Sequence, residues 1–450
     1  MSKSPHLQTL MMQFAEQHRF FNSGAKVLAA VSGGVDSMVM LHLLHQVNVN
    51  TVAAHCNFGL RGDESNFDEA FVKTESHKLG IECQVAHFDA SSYAVQKGYS
   101  VQMAARELRY RWFNELLAKE NFDAIAIAHN RDDRIETLLI NLARGTGIHG
   151  LTSIKPVNGN IIRPLLFASR NEIEVYAKAH NVLFREDSSN ATDKYARNYI
   201  RHHVIPGLEQ YFPGMRKAIE RNLEHYSEVE LFYNAAVEYY KNQIVTFCND
   251  LIYINMQGLA QSPSPPALLY EILKSYGFSN STASEILENQ NYTSGRQFYS
   301  NTHRLVNNRQ SLIIQKIENT VTETSGEYLI DEHTLNIDVP IRMKIKKFEY
   351  FSGFEPETTP NIAYLDSDKL QFPLLLRKWK HGDRFRPLGM HGMKKLSDFF
   401  SDNKLSLIEK EKSWVLVSGE QIAWIVGMRI DDRFKITDKT RKVIRYSTQF

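Results

Sequence analysis

Three cysteines in 450 residues are the first scarcity of this chain: Cys56, Cys83 and Cys248 stand far apart and are odd in number. That argues against a disulfide framework and against a Cys-x-x-Cys metal or cluster site, and it fits a reducing, cytoplasmic compartment. Long apolar runs are missing too. No window approaches the roughly 18 unbroken apolar residues of a membrane helix, so no membrane partner is expected. Met1-Ser2-Lys3-Ser4-Pro5-His6 leads into no apolar core, so no secretory signal is expected either. Charge of one sign is equally scarce, because 53 Lys+Arg against 51 Asp+Glu leave a net +2. A nucleic-acid partner would have to be held by local basic patches, since no global field draws it in. There is no internal repeat and no low-complexity tract. What remains is a composition ordinary for a soluble globular protein, 43% hydrophobic and 23% charged, on a chain long enough for two or three domains.

Against this background one stretch stands out: Val31-Ser32-Gly33-Gly34-Val35-Asp36-Ser37. An apolar run, Lys26 to Ala30, precedes it, and another, Met38 to Leu44, follows. Strand, glycine turn, helix is the natural reading. Adjacent glycines let the backbone come close to a ligand. The unpaired N–H groups and dipole of the helix start favour an anion. Ser32 and Ser37 add hydroxyl donors, and Asp36 would hold a cation that travels with phosphate, most simply Mg²⁺. The lysine of a Walker loop is absent. The plain alternative is a glycine turn with a serine cap, which many helices have.

From about residue 24 to 170 apolar strands (26–31, 50–55, 82–88, 124–128) alternate with helical stretches such as 65–79 and 101–119. This predicts a doubly wound parallel sheet with helices on both faces and ligands at the strands' carboxyl ends. Prolines and glycines near 206–216 break the pattern. A long helix is expected from Arg216 to about Val245 and further helix over 266–290. A small β-element is expected over 291–314, a polar linker over 317–336, and a small α+β domain from 337. The expected division is a catalytic domain over 1–215, a mainly helical domain over 216–320 and a C-terminal domain over 337–450.

After the fourth strand comes Ala128-His129-Asn130-Arg131-Asp132-Asp133-Arg134-Ile135-Glu136-Thr137. If Asp132 opens a helix, Glu136 shares a face with both Asp132 and Asp133. Acids in a first turn are also plain dipole partners. A second glycine loop, Arg144-Gly145-Thr146-Gly147, follows closely.

The glycine segment resembles the Ser-Gly-Gly-x-Asp-Ser loop of the ATP pyrophosphatase, or PP-loop, family, which cleaves ATP between the α and β phosphates. Further segments narrow the resemblance to the tRNA(Ile)-lysidine synthases. They include 55–61 from His55-Cys56-Asn57, Ala104-Ala105-Arg106, the 132–137 carboxylates and the 144–151 glycine loop. Arg163-Pro164-Leu165-Leu166 and Glu186-Asp187-Ser188-Ser189-Asn190, with Tyr195, Arg197-Asn198 and Arg201, also match, as do 385–389, 394–400 and 424–427 in the later chain. Phe58, Ala128 and Asn130 depart from the family's commoner histidine or glycine.

The resemblance implies two steps on tRNA(Ile) with a CAU anticodon. O2 of the wobble cytidine, position 34, is adenylated by ATP with loss of pyrophosphate. L-lysine then displaces AMP at C2 to give lysidine, which switches codon reading from AUG to AUA. By the same resemblance Ser32, Gly33, Gly34, Val35, Asp36 and Ser37 hold the nucleotide, with His55 and His129 beside it. Asp36 carries Mg²⁺. Asp132, Asp133 and Glu136 bind or deprotonate lysine, and Arg106 contacts phosphate or base; Arg106 is equally readable as a surface charge and His129 as a satisfied strand-end histidine.

Basic residues should track the RNA backbone. Segment 377–404 holds eight cations against three acids, a local excess of five; its candidates are Arg377, Lys378, Arg384, Arg386, Lys394 and Lys395. The interleaved Trp379, Phe385 and Phe399 suit either bases or a core, with core the better reading for Phe399-Phe400. Lys194, Arg197 and Arg201 form a second cluster, spaced to share a helix face. A homodimer is allowed for. Competing readings are a tRNA thiolase, which would need paired cysteines, an amidotransferase-type PP-loop enzyme, and a non-enzymatic RNA-binding protein.

Overall fold

The computed structural model describes residues 7–22, 24–186, 196–288, 294–317 and 326–448. Contacts cluster into two compact units, Met1–Asn234 and Ala235–Phe450.

In the first unit a six-stranded sheet has the order β3-β2-β1-β4-β6-β5. Its strands are β1 (Lys26–Ala30), β2 (Asn50–Asn57), β3 (Cys83–His87), β4 (Ala124–Ile127), β5 (Val157–Asn158) and β6 (Ile161–Ile162). Only the β5–β6 pair is antiparallel. α1 (Leu7–Gln17) precedes them, and between them run α2 (Val35–Gln46), α3 (Asp63–Lys78), α4 (Ala90–Lys97), α5 (Val101–Glu120) and α6 (Arg131–Arg144). The short α7 (Ile148–Leu151) and α8 (Arg170–Ala179) follow. Alternate residues of β1 feed opposite faces. Val27 and Ala29 pack with α2 and α8, while Leu28 packs with Phe113 and Leu116 of α5. The two-faced burial demanded by an all-apolar strand is therefore met. α2 is apolar on nearly every side because it is buried on nearly every side.

β1 lies between β2 and β4, so the chain's path reverses there. Such a switch point opens a crevice at the strands' carboxyl ends. The glycine loop after β1 and the start of α6 after β4 flank it.

A short helix, α9 (Ala196–Tyr199), continues through a π turn (Ile200–Val204) into α10 (Ile205–Tyr211). α11 (Met215–Ile244) is the expected long helix.

The described residues of the second unit carry four sheets. A five-stranded antiparallel sheet, order β7-β8-β11-β10-β9, joins β7 (Val245–Cys248), β8 (Leu251–Asn255), β9 (Gln297–Tyr299), β10 (His303–Asn308) and β11 (Ser311–Lys316). Helices α12 (Met256–Ala260), α13 (Pro265–Lys274) and α14 (Asn280–Glu288) supply most of its core. The middle region is thus helical but carries a β7–β8 hairpin not foreseen, and the further helix expected over 266–290 is, within the described residues, a pair parted at Gly277, φ +80°. Beyond it lie β12 (Tyr328–Ile330), β13 (Asn336–Ile337), β14 (Met343–Glu349), β15 (Ile362–Asp366), β16 (Leu374–Lys378), β17 (Arg384–Phe385) and β18 (Lys394–Lys395). They are followed by α15 (Leu396–Asp402), α16 (Leu407–Lys412), β19 (Trp414–Ser418), β20 (Gln421–Ile425), β21 (Arg429–Ile430) and β22 (Lys442–Thr448). They make sheets ordered β12-β16-β19-β20-β21 and β13-β14-β22-β15 and the two-stranded β17-β18, around two clusters of buried side chains. The linker expected over 317–336 is corrected in part: β12 pairs with β16 and buries Ile330. No helix among the described residues is long and apolar enough to cross a membrane.

Candidate active site

The loop from Val31 to Gly34 turns because Gly33 sits at φ +93°, where a Cβ would also press on Val72 at 3.4 Å. Gly34 caps α2 with no side-chain partner for the helix N–H groups, which leaves them for a ligand. Ser32 is exposed on the loop. Ser37 is buried and turned inward: its Oγ donates to the Gly34 carbonyl (2.9 Å) and accepts from Ser32 N–H (3.2 Å). Those bonds brace the loop, since a buried hydroxyl needs partners. Val35 is buried as well. His55 is another brace, its Nδ1 donating to the Val31 carbonyl at 2.9 Å; burial pushes its pKa down, so the ring is neutral and fixed under the loop.

Across the switch point Asn130 opens α6. Its side chain accepts from Asp133 N–H (3.1 Å), and the Asp133 carboxylate accepts from Asn130 N–H (3.0 Å), a reciprocal capping box. The Asn130 Nδ2 also donates to Asp36 at 3.2 Å, tying the two loops together. Asp132, Asp133 and Glu136 all lie on the first turns of α6. With Asn130, Arg170, Glu174, Arg201, His202, Ile205 and Arg216, Asp132 and Glu136 line a cavity of about 310 Å³.

Every carboxylate here is matched by a guanidinium of the same chain. Asp36 pairs with Arg170 at 2.5 Å. Asp132 pairs with Arg216 and accepts from the Arg170 backbone N–H at 2.7 Å. Fully buried Glu136 takes a two-pronged contact from Arg201 (2.6 and 3.0 Å), with Arg197 at 3.3 Å. Arg201 reaches Asp133 at 3.5 Å. Burial pushes the Asp36 carboxyl up, opposed by Arg170 and aided by Asp133. Burial raises Glu136 in the same way against its hydrogen bonds from Arg201. Burial of a carboxylate favours its protonated form, and the arginines beside these acids oppose that shift.

Arg197 and Arg201, expected to share a basic helix face, both reach the buried Glu136. Lys194 lies outside the described residues, as does the segment 187–195. His129 accepts from Arg163 Nε at 3.1 Å. Burial pushes its pKa down to about 4 against the pull of Asp133, with Arg163, Arg197 and Arg106 acting in the same direction as burial. Arg106 itself is exposed and stacks on Tyr110 at 4.9 Å. Asn130, Arg170 and Arg216 were not among the expected site residues. The first two had a local signal, since Asn130 to Asp133 and Ser169 to Glu172 both have capping-box spacing. Arg216 had none, being 84 positions from Asp132.

In the second unit Arg377 makes a two-pronged pair with Asp383 (2.8 and 2.9 Å), Lys394 pairs with Asp402, and Lys378 lies over Trp414 at 4.6 Å. Burial pushes Lys378 down to about 8. Arg384 and Lys395 are exposed and face each other across β17–β18; Arg386 is half-buried. Phe385, Phe399 and Phe400 are core, with Trp379 against Phe400 at 5.2 Å.

Family models match a PP-loop domain over residues 4–208, a TilS substrate binding domain over 248–317 and a TilS substrate C-terminal domain over 374–446. The tRNA(Ile)-lysidine synthase of Parabacteroides distasonis is 42% identical over 96% of this chain and 97% of its own. That of Bacteroides thetaiotaomicron is 38% identical over 98% and 99%, and that of Bacillus subtilis 33% over 96% of each chain. With the glycine cradle and the α6 carboxylates in place and the likeness running end to end, the chain belongs to the tRNA(Ile)-lysidine synthase family, ligases built on a PP-loop domain.

Proposed function

We propose that this chain joins free lysine to C2 of cytidine 34 in the CAU anticodon of tRNA(Ile), in the cytoplasm, at the expense of one ATP. A cytosine carbonyl oxygen leaves only once it is made a phosphate ester. In the first step O2 attacks the α-phosphorus and the bond to pyrophosphate breaks. In the second the lysine ε-nitrogen attacks C2, the C2–O bond breaks, AMP leaves and the ammonium's proton is lost. The free N–H groups at the start of α2 and the backbone of Gly33 and Gly34 receive the phosphates.

Asp36 fits a hard cation: it is a largely buried carboxylate beside the loop, its carboxyl raised by burial and by the nearby charge of Asp133 against the pull of Arg170. Mg²⁺ held there neutralises phosphate charge. Glu136 and Asp132 hold the lysine ammonium, and Glu136, its carboxyl raised by burial, accepts the proton, because an amine attacks only when neutral. Exposed Arg384 and Lys395, with Arg386, contact the RNA backbone. The observation that carries the reading is the pairing of a helix start with no side-chain cap with the α6 acids, Glu136 buried among them, on the far side of one switch point. The experiment is incorporation of radiolabelled lysine into isoleucine tRNA with ATP. Wild type incorporates label, and Asp36→Ala gives neither label nor tRNA-dependent pyrophosphate; normal pyrophosphate release from the variant sinks the metal role of Asp36.

A further inference from the structure

We infer that the outer face of the β13-β14-β22-β15 sheet holds a phosphodiester-binding concavity for the tRNA backbone, built by Lys344, Lys346 and Arg445. The inference rests on the tRNA reading above and moves the RNA contact away from part of segment 377–404. Arg377, Lys378 and Lys394 of that segment are already engaged within the fold. Lys344 and Lys346 have no ion pair among the described residues, and no carboxylate lines the concavity of about 540 Å³ that they share with Arg445, Asn361, Ser447 and Thr448. Neither lysine falls within the residues of the matched C-terminal domain, 374–446.

The register explains how the charges meet. Lys346 lies opposite Arg445, which lies opposite Tyr364; Lys344 lies opposite Ser447, which lies opposite Ile362. Cross-strand partners share a face at roughly 5 Å between Cβ atoms, and like charges placed so are destabilising. Met343 and Ile345 fill the core from the other face, so the two lysines are held outward by the pleat. Tyr364 accepts from Arg445 Nε at 3.2 Å and orients that guanidinium along the sheet. Three unneutralised cations on a rigid sheet, with hydroxyl and amide donors between them, form a receptor for consecutive phosphates. An anion across the Lys346–Arg445 pair converts the repulsion into attraction. Inorganic phosphate shares this chemistry, so the test separates it from RNA.

The test is Lys344→Glu with Lys346→Glu in the full chain. Both side chains are exposed, and Lys344→Gln with Lys346→Gln serves as the milder pair; equal thermal midpoints establish that both fold. Filter binding of isoleucine tRNA is measured across salt concentrations. The expected result is a Kd raised at least tenfold in the reversal variant, a smaller rise in the neutral one, and a salt slope shallower by about 0.9 for each phosphate no longer neutralised. The rate of lysine incorporation at saturating tRNA stays at the wild-type value. Unchanged Kd and slope overturn the proposal. So does inorganic phosphate that binds wild type and not the variant while tRNA binding is equal in both, which makes this an adventitious anion pocket. Wild type that binds tRNA but incorporates no lysine overturns the function proposed above and leaves this binding test readable.

Discussion

His129 links the chemistry of the crevice to the pH dependence of the fold. Its folded-state value, about 4, lies below the 6.5 of an unstructured chain. Between those values the unfolded chain takes up a proton that the folded one refuses. The stability involved is complete above about pH 6.5 and is lost as pH falls toward 4. From pH 7 to pH 5 this group accounts for about 2 kcal/mol. His129→Asn keeps an acceptor for Arg163, and its urea midpoint should fall less than wild type's between those two pH values; an equal fall would place the acid sensitivity elsewhere. Glu136→Gln tests the other half of the site. Cytidine adenylation should persist while lysine transfer drops by two orders of magnitude or more, read as labelled AMP retained on tRNA; loss of adenylation alone would contradict the assigned role. The acids themselves were legible in the sequence because their spacing on a helix is local. Their arginine partners were less so, since Arg216 and Arg201 come to them from 84 and 65 positions away.

Helix α6 is the element that sets the site, and its first residue outside the helix matters most. Asn130→Ala removes the cap and the tie to Asp36, and should cost about 1 kcal/mol of stability along with most pyrophosphate release. Asn130→Asp restores the cap but sets a second charge against Asp36. It should recover the thermal midpoint and not the activity; recovery of both would show that the tie to Asp36 is incidental. The parallel strands of the first unit were readable from apolar runs bounded by turns, as was the long helix to Ile244. The β7–β8 hairpin was not read, although Asn249 and Asp250, both at positive φ, form the type of turn that such residues favour. Tyr328–Ile330 was missed because its partner, Leu374–Leu376, lies more than forty residues away and a three-residue strand has no period to detect.

The molecule as a whole carries separate cores, one set within residues 7–184 and another within 237–446. A chain with separate cores is expected to melt in more than one step. Scanning calorimetry should give a calorimetric enthalpy clearly above the van't Hoff value, and ATP with Mg²⁺ should raise only the transition of the unit containing the glycine loop. A single two-state transition that moves as one would contradict this. Net charge adds little at this scale, since +2 spread over 450 residues sets no field.

The guanidinium groups held by Asp36, Asp132 and Glu136 bear on all of this. A pocket whose acids already carry counter-ions takes up a cation by ion exchange rather than by simple capture. On the proposed function, a lysine ammonium binding there would have to displace a resident guanidinium, so its affinity would be a small difference between two similar attractions. The evicted arginines are then at hand for the next anion to arrive.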